Sequence, residues 1–318
     1  LYELIEENIF LWVQILKPYN KHSLQNIVLG VTRSSCPESL HHLTQIVHTN
    51  SGMNAANLAL SCVRAQFGQS SSLTVGFDPR TYFEIEYIVN KNFESVMLQE
   101  IVHPIDVLII PQISDLIANK DHSAGQPNDI NKLLRSMYAS NKVKSKLCLI
   151  IDTSLDTFAS SRQMELLNQV SDKILSGELC VFFFRSGHKY DQMGGDKLNF
   201  GNLLAYYSSK VFPEVDQILN AYNSKLVESG LDYQGQCLLY DSSLSTIAKY
   251  HKILREQNNS VFKQLNRNPV IIFSQRNNLQ TCFYISLPLS NQPNDSEYEG
   301  SNLIDLLNNY LQRISQLK

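Results

Sequence analysis

Two uninterrupted apolar runs, Leu147-Cys148-Leu149-Ile150-Ile151 and Leu179-Cys180-Val181-Phe182-Phe183-Phe184, constrain this chain more than any other feature. A strand with one wet face alternates apolar and polar residues. A run with no polar member needs cover on both faces, which a parallel sheet packed between helices supplies. Val107-Leu108-Ile109-Ile110, closed by Pro111, reads the same way, and Leu73-Thr74-Val75-Gly76-Phe77 reads as a further strand. Longer amphipathic stretches lie between the runs. One opens at Ser51-Gly52-Met53, continues to Gln66 and stops at Gly68, and others cover 129–140 and 161–176. Residues 3–17, before Pro18, read as an N-terminal amphipathic helix. Tyr82–Val89 fits either helix or strand, and Ile46-Val47-His48-Thr49 reads as a short approach to a turn. The polar stretch 118–128 reads as a loop. Strands alternating with helices predict an α/β protein with a mostly parallel sheet flanked by helices.

The pattern changes at Pro213. Helices over 213–229 and 242–266, strands Val270–Ser274 and Thr281–Leu287, and a closing helix over 302–317 read as a small C-terminal α+β domain. The expected division is therefore a large α/β domain over 1–212 and a small domain over 213–318. With 318 residues, 43% of them hydrophobic, the chain can bury a substantial core. A net charge of −3 gives no electrostatic case for a nucleic-acid partner. No apolar run is long enough to span a membrane, and no signal-peptide pattern is present. The chain opens on Leu1 rather than methionine, which leaves room for a preceding segment. The six cysteines, Cys36, Cys62, Cys148, Cys180, Cys237 and Cys282, are scattered without a CxxC or His/Cys cluster. Neither a zinc site nor a disulfide scaffold is indicated, and a reduced, cytoplasmic setting is expected. Cys148 and Cys180 lie within strands and read as small hydrophobes.

Ligands of parallel α/β sheets gather at the carboxyl ends of the strands. Three groups fall at such ends: Ser51-Gly52-Met53, Asp152, and Arg185-Ser186-Gly187-His188-Lys189-Tyr190. Each has a plainer alternative. Lys189 reads equally as a solvated loop lysine and Asp152 as a helix cap; a Ser-Gly helix start binds anions through free N–H groups but is common without a ligand. Tyr82 is an aromatic that either stacks on a ring or packs in the core. His41, His42 and His48 lack a partner acid at ligand spacing, and Arg267 and Arg276 read as surface residues or as forks for a substrate carboxylate. An acid at one strand end and a lysine at another is what a pyridoxal-phosphate site requires. The acid pairs with the protonated pyridine nitrogen, and the lysine forms the Schiff base.

Taken together, Ser51-Gly52-Met53, Tyr82, Asp152, Ser186-Gly187-His188-Lys189 and Lys197 resemble, in that order, the fold-type I pyridoxal-phosphate-dependent enzymes, the aspartate aminotransferase superfamily. The separation of 37 residues from Asp152 to Lys189 is similar to that of class I aminotransferases. Ser-Gly-His-Lys resembles the lysine segment of cysteine desulfurases, and Ser51-Gly52-Met53-Asn54-Ala55-Ala56 the phosphate turn of cystathionine lyases. The resemblance implies that Lys189 and Asp152 are catalytic. It implies that Ser51, Gly52, Met53, Ser186 and Lys197 bind the cofactor phosphate, that Tyr82 stacks on the ring and that His188 lines the site. Pyridoxal 5'-phosphate is the implied cofactor, a small amine or amino acid the implied substrate, and a homodimer the implied assembly. Where the family has an Asn-Pro-x-Gly segment this chain has Pro111-Gln112, which puts Gln112 near the cofactor oxygen by position, and Lys197 stands where arginine is usual. The expected activity is of transaminase or lyase type, through an internal aldimine on Lys189. The alternative is a catalytically inactive domain of this fold serving as an interaction or scaffolding module.

Overall fold

The computed structural model describes residues 21–225 except 35, 69–72, 114–127, 157–159, 188–190 and 192–197, together with 252, 253, 256, 260, 272–273 and 285–286. Seven strands form one sheet: β1 (Thr44–Thr49), β2 (Thr74–Phe77), β3 (Glu94–Met97), β4 (Ile105–Pro111), β5 (Val143–Asp152), β6 (Leu179–Ser186) and β7 (Gly201–Tyr206). Their order is β1-β7-β6-β5-β4-β2-β3. The pairs β2–β3, β2–β4, β4–β5 and β5–β6 are parallel, and β7 runs antiparallel to both β1 and β6. The helices are α1 (Lys21–Ser34), α2 (Gly52–Phe67), α3 (Phe83–Asn92), α4 (Ile130–Ala139), α5 (Ser161–Ser176) and α6 (Pro213–Lys225). The mostly parallel sheet flanked by helices that the apolar runs predict is thus the architecture found.

Side chains of a strand alternate between faces, so each apolar run feeds two cores. Leu147, Leu149 and Ile151 of β5 and Val181 and Phe183 of β6 enter one cluster, closed by Ile130, Leu134 and Met137 of α4 and Leu166, Leu167, Val170 and Ile174 of α5. Cys148 and Ile150, with Cys180, Phe182 and Phe184, enter the opposite cluster beneath α2, where Ala55, Ala59, Cys62 and Val63 pack. Cys148 and Cys180 are fully buried neighbours in register, as expected of strand cysteines acting as small hydrophobes. At roughly 1.5–3 kcal/mol for each fully buried large apolar side chain, these two faces dominate the stability of the sheet.

The helix boundaries have local causes. The Ser51 hydroxyl accepts the N–H of Asn54 at 3.1 Å and caps α2, while Asp129 caps α4 by accepting from Lys132 at 2.9 Å. Gly177 ends α5 in the left-handed conformation, φ 79°, with Val211 packed where a side chain would stand.

The structure revises three local readings. Residues 44–49 form a full strand rather than an approach to a turn, because β7 pairs with them along their whole length. Residues 83–92 resolve as helix. α1, β3 and β7 are elements beyond those read from the sequence. α6 begins at Pro213 and packs Val215 and Leu219 into the cluster beneath α2. Two short strands, Ile272–Phe273 (β8) and Ile285–Ser286 (β9), pair antiparallel within the strand segments expected there. The expected helices over 3–17, 242–266 and 302–317 and the loop over 118–128 lie largely or wholly outside the described residues.

Candidate cofactor site at the carboxyl rim of the sheet

Register places the ends of several strands at one level. Pro111 pairs with Asp152 and Asp152 with Phe184, while Ser186 pairs with Gly201 and Gly201 with Thr49. Above this rim lies a cavity of about 140 Å³ lined by Ser51, Gly52, Met53, Tyr82, Asp152 and Ser186, with Glu84, Ile85, Ser154 and Phe184. Six residues singled out in the sequence therefore share one cavity. His188, Lys189 and Lys197 lie outside the described residues.

The Ser51–Gly52 turn is wedged between two strands. A Cβ on Gly201 would stand 2.3 Å from the Ser51 carbonyl oxygen, and one on Gly52 would meet the backbone of Ser186. Glycine at both positions lets the first turn of α2 settle onto the ends of β6 and β7. The N–H groups of Gly52 and Met53 then stand at the positive end of the α2 dipole, beside the hydroxyl of Ser51. Tyr82 borders the cavity just before α3 and packs part of its ring on the cluster beneath α2.

Asp152 ends β5 with 8% of its surface exposed. Its Oδ1 accepts the N–H of Ser154 at 2.8 Å, and its carbonyl accepts the N–H of Gln112 at 2.7 Å. Gln112 is buried beside it, with an Oε1 that has no hydrogen-bond partner among the described residues. The Ser154 hydroxyl accepts the N–H of Ser186 at 3.0 Å, joining the β5 and β6 ends of the cavity wall. Thr153 donates both its N–H and its hydroxyl to the Phe184 carbonyl, at 2.9 and 3.0 Å.

Below the rim runs a row of buried polar residues to which the sequence reading gave no role. Arg185 pairs in register with Asn202, and Asn202 with His48. The His48 Nδ1 lies 2.7 Å from Asn202 Oδ1. Arg185 forms a two-pronged ion pair with Asp191, Nε to Oδ2 at 2.7 Å and the second prong to Oδ1. The clue in the sequence was Arg185 itself, since a charge directly after six apolar strand residues demands a buried partner.

These donors suit a phosphorylated aromatic cofactor. A helix start with room only for glycine can approach a phosphate closely, and a buried carboxylate at a strand end can hold the proton of a ring nitrogen. Gln112, whose backbone N–H bonds the Asp152 carbonyl, is buried at the neighbouring strand end. Among the described residues, no group of three or more His, Cys, Asp or Glu is arranged to hold a metal ion, and no helix is long and apolar enough to cross a membrane.

No family model matches the chain, and no curated protein matches it in sequence. Its likeness is to solved structures. An aromatic-amino-acid aminotransferase from Burkholderia pseudomallei, covalently bound to pyridoxal phosphate, superposes with a TM-score of 0.56 at 10% identity, over 86% of this chain and 72% of that one. Tyrosine aminotransferase from Leishmania infantum gives 0.57 at 11% identity, over 86% and 70%. Cystathionine gamma synthase from Xanthomonas oryzae pv. oryzae gives 0.52 at 12% identity, over 80% and 59%. The fold is that of these aminotransferases and of cystathionine gamma synthase alike, the fold of the fold-type I pyridoxal-phosphate-dependent enzymes.

Proposed function

We propose that the chain is a pyridoxal-phosphate-dependent enzyme acting on an amino acid or another primary amine, of transaminase or lyase type. The observation that carries this reading is the meeting of Asp152 with the Ser51–Met53 helix start, Tyr82 and Ser186 around one cavity at the carboxyl rim. When bound, pyridoxal 5'-phosphate supplies an electron sink for bonds at the Cα of an attached amine. The hydroxyls of Ser51 and Ser186, the N–H groups of Gly52 and Met53, and Lys197 hold the phosphate. Lys197 contributes a point charge rather than an arginine fork. Asp152 keeps the ring nitrogen protonated, and Gln112 stands beside it for the ring oxygen. Tyr82 covers a face of the ring and His188 lines the site. Lys189 anchors the cofactor through its amine, then takes and returns the proton at the substrate Cα.

The same reading makes the protein a cytoplasmic homodimer, with a large domain over 1–212 and a small α+β domain over 213–318. It is tested by adding pyridoxal 5'-phosphate, recording the visible spectrum before and after borohydride reduction, and mapping peptides. A visible band that reduction fixes onto Lys189 supports it, and Lys189→Ala then loses covalent attachment. A folded protein that shows no band and retains no cofactor overturns it in favour of an interaction module.

A further inference from the structure

We propose that Arg185 is a positioning residue. With Asp191 it forms a buried clasp that fixes the turn after β5, and so fixes where the Asp152 carboxylate stands in the cavity. The proposal rests on the reading of Asp152 as partner of a ring nitrogen and adds a device that holds it there.

The clasp is built from one guanidinium with all its sides engaged. Arg185 is 1% exposed and Asp191 0%. Two of its nitrogens meet the Asp191 carboxylate, and its third donates to the carbonyls of Thr153 and Asp156, each at 2.5 Å. Those carbonyls bracket the turn that follows Asp152. Within it, Ser154 donates its N–H to the Asp152 carboxylate, and its hydroxyl oxygen accepts the N–H of Ser186. The far end is braced again, because Asp156 accepts from Ser160 and Arg162, both at 2.7 Å. Arg185 thus ties two chain segments, the turn 153–156 and residue 191, behind the wall that carries Asp152.

The choice of arginine follows from geometry. A lysine is a point charge on a flexible stem and cannot meet a carboxylate with two prongs while also reaching two carbonyls. Such a pair gains little net stability over apolar residues of the same size, because both ions lose their hydration. Holding an adjoining site to a narrow geometry is a use that stability alone does not explain.

The experiment compares binding of pyridoxal 5'-phosphate with binding of its analogue carrying carbon in place of the ring nitrogen. Parent, Asp152→Asn, Arg185→Lys and Asp191→Asn are titrated in parallel, with apo thermal melts confirming that each is folded. The parent is expected to prefer the nitrogen-bearing ligand and Asp152→Asn to lose the preference. Arg185→Lys, although every cavity-lining residue is intact, is expected to reduce the ratio of dissociation constants at least fivefold. A general loss of stability weakens both ligands together and leaves that ratio unmoved. If Arg185→Lys does not fold, Asp191→Asn, which keeps the shape of the side chain, carries the same expectation. A parental ratio in the folded variants overturns the clasp alone. A parent that binds neither ligand, or both equally, overturns the reading of Asp152 on which it stands.

Discussion

Gly52 and Ser186 touch backbone to side chain and backbone to backbone. A Cβ placed on Gly52 would lie 2.7 Å from the Ser186 Cβ and 2.8 Å from its Cα. Neither of those atoms is the end of a flexible side chain, so one element has to shift. Gly52→Ala is expected to destabilise the fold by about 1–3 kcal/mol, the usual range for overpacking. It also moves the α2 start away from the rim, so pyridoxal 5'-phosphate is expected to bind at least tenfold more weakly. Urea unfolding and a spectral titration measure the two effects, and parental values in both would remove the close approach as a constraint.

Ser154→Ala separates stability from binding. The serine hydroxyl takes the Ser186 N–H, but the bond to the Asp152 carboxylate comes from the Ser154 backbone and survives the substitution. A loss of about 1–2 kcal/mol is expected from the N–H left without its acceptor, together with cofactor affinity within a few-fold of the parent. Denaturant midpoints and the same titration decide it.

Alkaline pH is expected to destabilise the fold through two adjacent tyrosines. Burial, and then contact with Cys36, pushes the Tyr206 hydroxyl well above its ordinary range. Burial, and then its hydrogen bond to Asp216, raises that of Tyr207. With folded values above unfolded ones, the stabilisation is complete below about pH 10 and declines above it, by at most about 1.4 kcal/mol per pH unit for each tyrosine. Urea midpoints between pH 8 and 11 check this. Tyr207→Phe should flatten the decline, and an unchanged slope would contradict the assignment.

Cys62, Cys148 and Cys180 meet where α2 crosses β5 and β6, all fully buried. Burial pushes the Cys62 and Cys180 thiols upward, away from the reactive thiolate. In the native protein at pH 8 these three positions are expected to resist iodoacetamide for hours and to react within minutes in denaturant. Peptide mapping reads each site separately, and rapid native labelling of any of them would show that the cluster opens.

How much of this was legible in the sequence depends on where the information is held. β4, β5 and β6 announce themselves because strands covered on both faces leave no polar position in the run. α2 opens at Ser51, whose hydroxyl caps it, and stops at Gly68, while α5 ends at Gly177 in the left-handed conformation; such end signals are local. β1 is harder to read because it is short and holds a histidine. His48 is accommodated there by Asn202, which arrives from β7 to meet it. β3 is a four-residue edge strand with too little pattern to stand out. The rim residues Ser51, Gly52, Met53, Tyr82, Asp152 and Ser186 are marked by their place at element ends. The contributions of Ser154, Glu84 and Arg185 depend on register and on side-chain direction, which no local pattern encodes.

The placing of β7 between β1 and β6 has a consequence for how the chain is made. Of the seven described strands β1 is made first, yet its neighbour among them is the last to be made, about 150 residues later. At roughly 5–20 residues per second, Thr49 waits about 8–30 s for Gly201. During that interval the Ser51–Gly52 turn lacks the β7 end on which Gly201 lets it pack, and its seat between β6 and β7 is complete only once synthesis has passed Tyr206.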